Sequence, residues 1–298
     1  MSRRVRNPAL ALSSEVHLPD RPWTTLHEGL CALFPHVSAS AWDERFARGR
    51  VRAADNRILA ADAPYQPGLR VHYWREVPDE APVGGEVEVL FADDDLIVAD
   101  KPAGLPVAPT GRWVEQTLLR RLQRALGNPD LVPLHRLDRH TAGLVLLSAR
   151  PASRDAYYAL FRERRVTKTY HALAAPLPEH AFPLTRLSRL VPGEPFFRMQ
   201  EVAGPANTET RIDVLERGDG AWRYLLSPVT GRKHQLRVHM AALGAPILGD
   251  PLYPVRRFVA DAEVRLALLA QAVSFADPLS ARRRAFTSRL SLPDPRDR

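Results

Sequence analysis

The chain of 298 residues has room for one large domain and one small one, or for two of ordinary size. Its apolar fraction of 45% and charged fraction of 26% are those of a globular protein, which excludes a disordered or fibrous chain. The formal charge of +8 and pI of about 10.1 favour a polyanionic partner such as nucleic acid over an acidic small molecule.

Cys31 is the single cysteine, so an internal disulfide and a cysteine-rich zinc site are both ruled out, and its apolar helical surroundings mark it as core. The apolar piece behind Arg3, Arg4 and Arg6 runs only from Ala9 to Leu12, too short for a signal peptide. No stretch reaches the roughly 18 apolar residues needed to cross a bilayer. A cytoplasmic protein with no membrane contact is the expectation.

Residues 1–20 show no periodicity and read as a flexible lead. Thr25–x–x–Glu28 forms a capping-box pattern, and Leu26, Leu30, Leu33 and Phe34 follow with helical spacing until Pro35. A second short helix is predicted over Ser40–Arg48, with Ser40 as N-cap and Trp42 and Phe46 on one face. Strands are predicted at Val51–Ala53, Ile58–Ala60 and Leu69–Trp74, separated by turns at Asp55–Asn56 and Pro67–Gly68. The spacing thus divides the chain into a small domain over 21–78, a Pro- and Gly-bearing linker over 79–85, and a large domain over 86–298.

In the large domain, Val87–Phe91 and Leu96–Ala99 read as a hairpin around Asp93–Asp94–Asp95, and Lys101–Pro102–Ala103–Gly104 reads as a loop. Three adjacent aspartates fit a turn better than a cation site, because the EF-hand spacing is absent. Helices are predicted over Val114–Leu126, stopped by Gly127 and with Val114, Leu118, Leu122 and Leu126 on one core stripe, and over Ser153–Glu163, with Ala156, Leu160 and Phe161 inward. Between them lies His135–Arg136–Leu137–Asp138–Arg139–His140–Thr141–Ala142–Gly143, a polar loop running into the apolar strand Leu144–Leu147. A carboxylate flanked by two arginines is common on a solvated surface, so spacing alone leaves its role open. Thr167–Ala174 reads as a strand bearing Tyr170, a residue that most often packs in such a place. Leu236, Met240 and Leu243 have helical spacing ahead of Gly244, which places Arg237 on a helix. His234 and His239, five apart, lie roughly 140° apart on such a helix and cannot share one metal ion as an i, i+4 pair could.

Taken whole, HRLDRHTAGLVLL resembles the catalytic-aspartate motif of the RluA family of pseudouridine synthases, with Ala142 in place of the usual serine. KPAGLPV, VTKTYHAL and GRKHQLRVH resemble three further motifs of that family, and SFADPLS with RRRAF is similar to its closing strand and turn. The resemblance implies an α+β fold with a mixed, mainly antiparallel sheet, and isomerisation of uridine to pseudouridine in structured RNA, ribosomal or transfer, with ribosomal RNA favoured. It implies no cofactor and no metal, a monomer, and RNA as the partner. It assigns Asp138 as the catalytic carboxylate, Tyr170 as the tyrosine beside it, and Arg237 as its ion-pair partner. Arg136 would fill the gap left by a flipped base, and Arg139, Thr141, Lys101, Arg232, His234 and Gln235 would contact RNA. Lys233 and Pro254 depart from the family pattern. FPHVSASAW and GRV at their places resemble, in degenerate form, a small RNA-binding domain of a ribosomal protein. Two competing functions remain at this stage: a non-catalytic RNA-binding or ribosome-assembly factor, and a nucleoside hydrolase. The hydrolase would need a water-activating base or metal that no carboxylate cluster supplies.

Overall fold

In a computed structural model, residues 13–35, 37–74, 80, 82–111, 113–257, 260 and 264–292 are described. The chain forms two compact units, Met1–Asp79 and Glu80–Arg298.

The first unit packs two helices, α1 (Leu26–Leu33) and α2 (Ala39–Ala47), on a three-stranded antiparallel sheet of order β1 (Ser14–His17), β3 (Arg70–Tyr73), β2 (Val51–Ala53). The capping pattern at α1 is realised: Thr25 Oγ1 accepts from the Glu28 N–H, and the Glu28 carboxylate accepts from the Thr24 N–H. Three local readings need correction. Part of the expected flexible lead is β1, since Ser14–His17 pairs with Arg70–Tyr73, and no periodicity shows in a strand of four residues. The N-cap of α2 is Ser38, whose hydroxyl accepts from the Ala41 N–H at 3.3 Å. Ile58 makes only a single bridge to Arg52 instead of starting a strand. Leu26, Leu30, Trp42, Val51 and Val71 form this unit's core, with Cys31 packed against it. Its arginines are partly internal: Arg45 is buried with its guanidinium 4.6 Å over Trp42, and Arg52 donates to the Gly49 carbonyl and to Asn56.

In the second unit, the described part of the expected linker is pinned. The Glu80 carboxylate accepts three consecutive N–H groups, those of Val114, Glu115 and Gln116, and Arg121 donates to the Val83 and Gly85 carbonyls. Residues 75–79 and 81 lie outside the described residues.

The large sheet takes up β4 (Glu88–Ala92), β5 (Leu96–Lys101), β6 (Val132–Pro133), β7 (Ala142–Ser148), β8 (Thr167–Ala174), β9 (Leu184–Pro192), β10 (Met199–Val202), β11 (Thr208–Arg217), β12 (Trp222–Pro228), β13 (Leu268–Ala276) and β14 (Arg283–Thr287). Its order is β10-β9-β11-β12-β8-β13-β7-β5-β4, with β14 on β13 and β6 on β7. Every pairing is antiparallel except β7 with β13. Helices α3 (Leu118–Ala125), α4 (Arg154–Arg162) and α5 (Gln235–Ala242) complete the α+β fold. The helix expected from Val114 begins only at Leu118, where Thr117 caps it, because the four preceding residues form the loop that Glu80 holds.

At the centre, β7 and β13 meet where Gly143 stands. Its φ is +108°, and a Cβ there would lie 2.3 Å from the Ala270 carbonyl oxygen, so only glycine fits. This contact fixes the strand that leaves the aspartate loop. Two of the three aspartates of the β4–β5 turn are structural: Asp93 Oδ1 accepts the N–H groups of Asp95 and Leu96, and the Asp95 carboxylate accepts from the Arg150 guanidinium.

Candidate active site

Asp138 sits on the loop between β6 and β7, and that loop is tied down from several sides. The Arg139 carbonyl accepts from the Gly104 N–H at 2.9 Å and from Lys101 Nζ at 3.0 Å, and Thr141 N–H donates to the Asp138 carbonyl. His135 Nε2 accepts from the Leu146 N–H at 3.1 Å, and its ring stacks on Phe161. Burial pushes the His135 imidazole down to about 4, so at neutral pH it is an uncharged acceptor that anchors the loop to β7.

The Asp138 carboxylate points at α5. Arg237 Nη1 donates to its Oδ2 at 3.0 Å, and His234 Nε2 lies 3.8 Å from Oδ1. Burial would raise the carboxyl, but the neighbouring His234, Arg237 and Arg136, with the Arg237 hydrogen bond, hold it below the usual carboxylate range. Burial pushes His234 itself down to about 4. At neutral pH the positive charge beside Asp138 therefore comes from the two arginines, and the carboxylate is ionised.

The His234 ring is held from its far side. The Tyr253 hydroxyl accepts from the Met199 N–H at 2.8 Å and hydrogen-bonds His234 Nδ1 at 2.8 Å, which fixes the plane of the imidazole and turns its Nε2 toward Asp138. His234 reaches this place with φ at +55°, the left-handed residue that turns the chain into α5.

Sequence reasoning missed Asp250. Arg237 Nε and Nη2 donate to its two carboxylate oxygens at 2.7 and 2.8 Å, and Asp250 Oδ1 also accepts the Leu252 and Tyr253 N–H groups. Both side chains of this pair are almost completely buried, at 6% and 1% exposure. Burial opposes the Arg237 charge, but the bonds to Asp250 and the charge of Asp138 outweigh it and raise its pKa. With two of its nitrogens committed to a carboxylate that two backbone N–H groups also hold, Arg237 reaches Asp138 with its remaining arm. The only trace in the sequence is a carboxylate after Gly249, too common a pair to signal a role.

Two cavities meet at Asp138. A cleft of about 730 Å³ is lined by Pro106–Thr110, Arg136, Asp138, Arg139, Phe197, His234, Arg237, Arg256 and Arg257, among others. A smaller pocket of about 130 Å³ is lined by Asp138, Thr141, Lys168, Tyr170, Lys233, Arg237 and Leu268. Asp138, Arg136, Leu137, His234 and Arg237 border both, and Arg136 is exposed. Burial, with the charge of Asp138 adding to it, raises the Tyr170 phenol well above its ordinary value, so it stays protonated. Leu268, opposite Ala172 in the β8–β13 register, gives the small pocket an apolar wall that sequence periodicity had assigned no role.

The residues expected to contact RNA divide sharply. Arg136 and Arg232 are exposed, Arg139 is half-buried with its guanidinium 5.3 Å over Trp113, and His234 borders both cavities. Lys101 does not belong with them, whereas Gln235 and Thr141, both buried, line the small pocket. Lys101 is 0% exposed, and its ammonium donates to the carbonyls of Pro102, Leu105 and Arg139, which welds the KPAGL loop to the aspartate loop. Burial pulls this ammonium down to about 7, with Asp138 opposing the shift. Gln235 is saturated within the protein: it donates to the Glu209 carbonyl and Thr210, and accepts from Thr230 and the Arg232 N–H. Thr141 is 2% exposed. His239, considered above as a metal ligand, is buried among the hydroxyls of Ser188, Thr208 and Thr210. Among the described residues no cluster of side chains could hold a metal ion, and no helix is long and apolar enough to cross a membrane.

An ionised carboxylate held by a doubly anchored arginine, at the mouth of a small half-apolar pocket inside an arginine-lined cleft, is suited to chemistry on one base taken from a polyanion. Comparison with known proteins agrees. Residues 95–242 match the sequence pattern of a family described as RNA pseudouridylate synthase. An uncharacterized RNA pseudouridine synthase of Synechocystis is 35% identical over 228 residues, spanning 73% of this chain and 75% of that protein. The dual-specificity RNA pseudouridine synthase RluA of Escherichia coli K12 is 37% identical over 197 residues, 64% of this chain and 87% of that one. The solved structure of human RNA pseudouridylate synthase domain containing 1 superimposes with a TM-score of 0.56 at 27% identity, over 72% of this chain and 87% of that one. The chain belongs to the RluA family of RNA pseudouridine synthases, and it isomerises uridine to pseudouridine in RNA.

Proposed function

We propose that Asp138 is the catalytic carboxylate of this reaction, and that the target uridine lies in a structured ribosomal RNA. The isomerisation breaks the bond from N1 of uracil to C1′ of the ribose, forms one from C5 to C1′, removes the proton from C5 and places one on N1. No atom is gained or lost. When the first bond breaks, C1′ becomes electron-poor, and an ionised carboxylate can stabilise or trap it as in retaining glycosidases. The observation that carries the assignment is the hydrogen bond of Asp138 to Arg237, itself locked by Asp250, which keeps a mostly buried carboxylate charged at the junction of the two cavities.

The small pocket takes the uracil between Tyr170 and the Leu268 wall. Tyr170, held protonated, acts by stacking and by its hydroxyl's hydrogen bonding and not as a phenolate base. Leaving its stack costs the uridine a few kcal/mol. Arg136, exposed and bordering both cavities, fills the vacated place and offsets part of that cost. Arg139 and Arg232 contact phosphate. The choice of ribosomal RNA rests on the likeness of the first unit's sequence to a ribosomal-protein RNA-binding domain. The enzyme acts as a cytoplasmic monomer.

Release of tritium from C5-labelled uridine in bulk RNA tests the reading. Asp138→Asn should reduce release to background while RNA affinity stays within a few-fold, because phosphate contacts supply most of it. Turnover by that variant at even about a hundredth of the wild-type rate sinks the assignment of Asp138, since loss of an essential group costs far more. Pseudouridine maps of ribosomal and transfer RNA from cells with and without the gene decide the substrate.

A further inference from the structure

The β9–β10 hairpin ends in Gly193–Glu194–Pro195–Phe196–Phe197–Arg198. Phe196 is 83% exposed, the highest value among the exposed large apolar side chains of the described residues. Phe197 meets it edge-on, with ring centroids 5.4 Å apart and planes at 78°, and lines the same cleft as Asp138. The Arg256 guanidinium lies 5.2 Å from the centre of the Phe197 ring.

This tip is held in place. Arg198 donates to the Pro254 carbonyl at 2.8 Å and lies 5.1 Å over the Tyr253 ring, and the Met199 N–H donates to the Tyr253 hydroxyl. That hydroxyl is also hydrogen-bonded to His234 Nδ1, whose other ring nitrogen faces Asp138. Tyr253 therefore links the aromatic tip to the catalytic loop through short contacts, and an aromatic surface lies at a fixed place along the cleft that holds the carboxylate.

We propose that Phe196 and Phe197 form a stacking platform for an unpaired base of the RNA next to the target uridine. The proposal rests on the reading of the arginine-lined cleft as the RNA site, and adds to it a contact that recognises a single-stranded flank. Sites for single-stranded nucleic acid combine a basic track with exposed aromatic faces and arginine stacked on them, because every base offers a π face. Here the charge matches: Arg198, Arg256 and Arg257 surround the tip, and Glu194 is the one acidic residue of the 193–198 segment. The exposed apolar surface beside the tip is limited to Val255, which lies between Pro254 and Arg256 at the tip's own contacts, and the exposed Val202 pairs with Arg189 at the far end of the hairpin.

The test uses the full chain with Phe196→Ala and Phe196→Trp, both at a position too exposed to threaten the fold. Probes are fluorescent oligouridylate, a stem-loop RNA with uridines in its loop, and a fully paired RNA duplex. Phe196→Ala should weaken binding of the first two by roughly ten-fold. The slope of log affinity against log salt should not change, because no phosphate contact is removed. The duplex should bind Phe196→Ala as it binds the wild type. Phe196→Trp should restore affinity, and its emission should be quenched by oligouridylate beyond the response of the five native tryptophans. Unchanged affinity for single strands, equal weakening for duplex, or no added quenching overturns the proposal. Tritium release by the wild type is read in parallel: quenching without any release would refute the catalytic reading and leave the platform standing, and release without quenching would do the reverse.

Discussion

Asp250→Ala is the most informative single change, because this residue touches no substrate and yet governs the group that holds Asp138. The substitution removes an acceptor of four hydrogen bonds, two from Arg237 and two from backbone N–H groups. It leaves Arg237, 6% exposed, with two charged donors unsatisfied. Each orphaned buried donor costs about 1–3 kcal/mol, and breaking a buried ion pair by deleting one partner costs about 3–5 kcal/mol in total. For a unit of this size that lowers Tm by about 10 °C. Activity should fall as well, since Arg237 would then be held only by Asp138 and could draw the carboxylate out of line, and a displacement of about 1 Å can cost on the order of 100-fold. Asp250→Asn, which keeps the volume and one acceptor, should show a smaller loss of each kind. Thermal melting and single-turnover tritium release, run at saturating RNA, read the two effects separately. A melting point within about 2 °C of wild type, together with normal turnover, would falsify the claim that Asp250 sets the position of Arg237.

Tyr170→Phe should keep activity within about ten-fold, whereas removal of a true general base costs about 100- to 10,000-fold; a drop of the larger size in single-turnover kinetics would show that the hydroxyl moves the proton. His135, His234 and His239 are each pushed down to about 4 by burial, against about 6.5 when unfolded. The unfolded chain therefore binds up to three more protons between these values, and stability present above about pH 6.5 is lost as pH falls toward 4, with a slope of at most about 4 kcal/mol per pH unit. Urea midpoints that stay flat between pH 7.5 and pH 5 would contradict the neutral, buried state of these rings. Deleting residues 1–79 should leave the salt slope of RNA binding nearly unchanged, because they carry eleven arginines against nine acidic side chains, and Arg45 is buried on Trp42. A slope smaller by about two ion equivalents would instead reveal a basic face on that unit.

The sequence by itself determined the family, the α+β class, the leucine face of α3 at Leu118 and Leu122, and the helical seat of Arg237, whereas on α4 it placed Leu160 inward but missed the buried Tyr157. These signals are local: a contiguous motif, a period of 3.6, a glycine after the last turn. Capping at Thr25 and the Asx turn at Asp93 were legible for the same reason, since a side chain there bonds to backbone two or three residues away. Tertiary structure alone decided which polar residues face solvent. Lys101 and Gln235 read as RNA contacts because charge and amide groups mark a surface by default, yet their bonds run to carbonyls and hydroxyls as far as 38 residues distant in sequence. Asp250 was invisible for the converse reason: thirteen residues separate it from Arg237, no helical or strand period relates them, and only the return of the chain beneath α5 brings carboxylate and guanidinium together. Likewise Leu268 and Phe197 acquire meaning from the cavities they line. Burial is a property of what packs against a residue, and a single sequence records the residue without its neighbours.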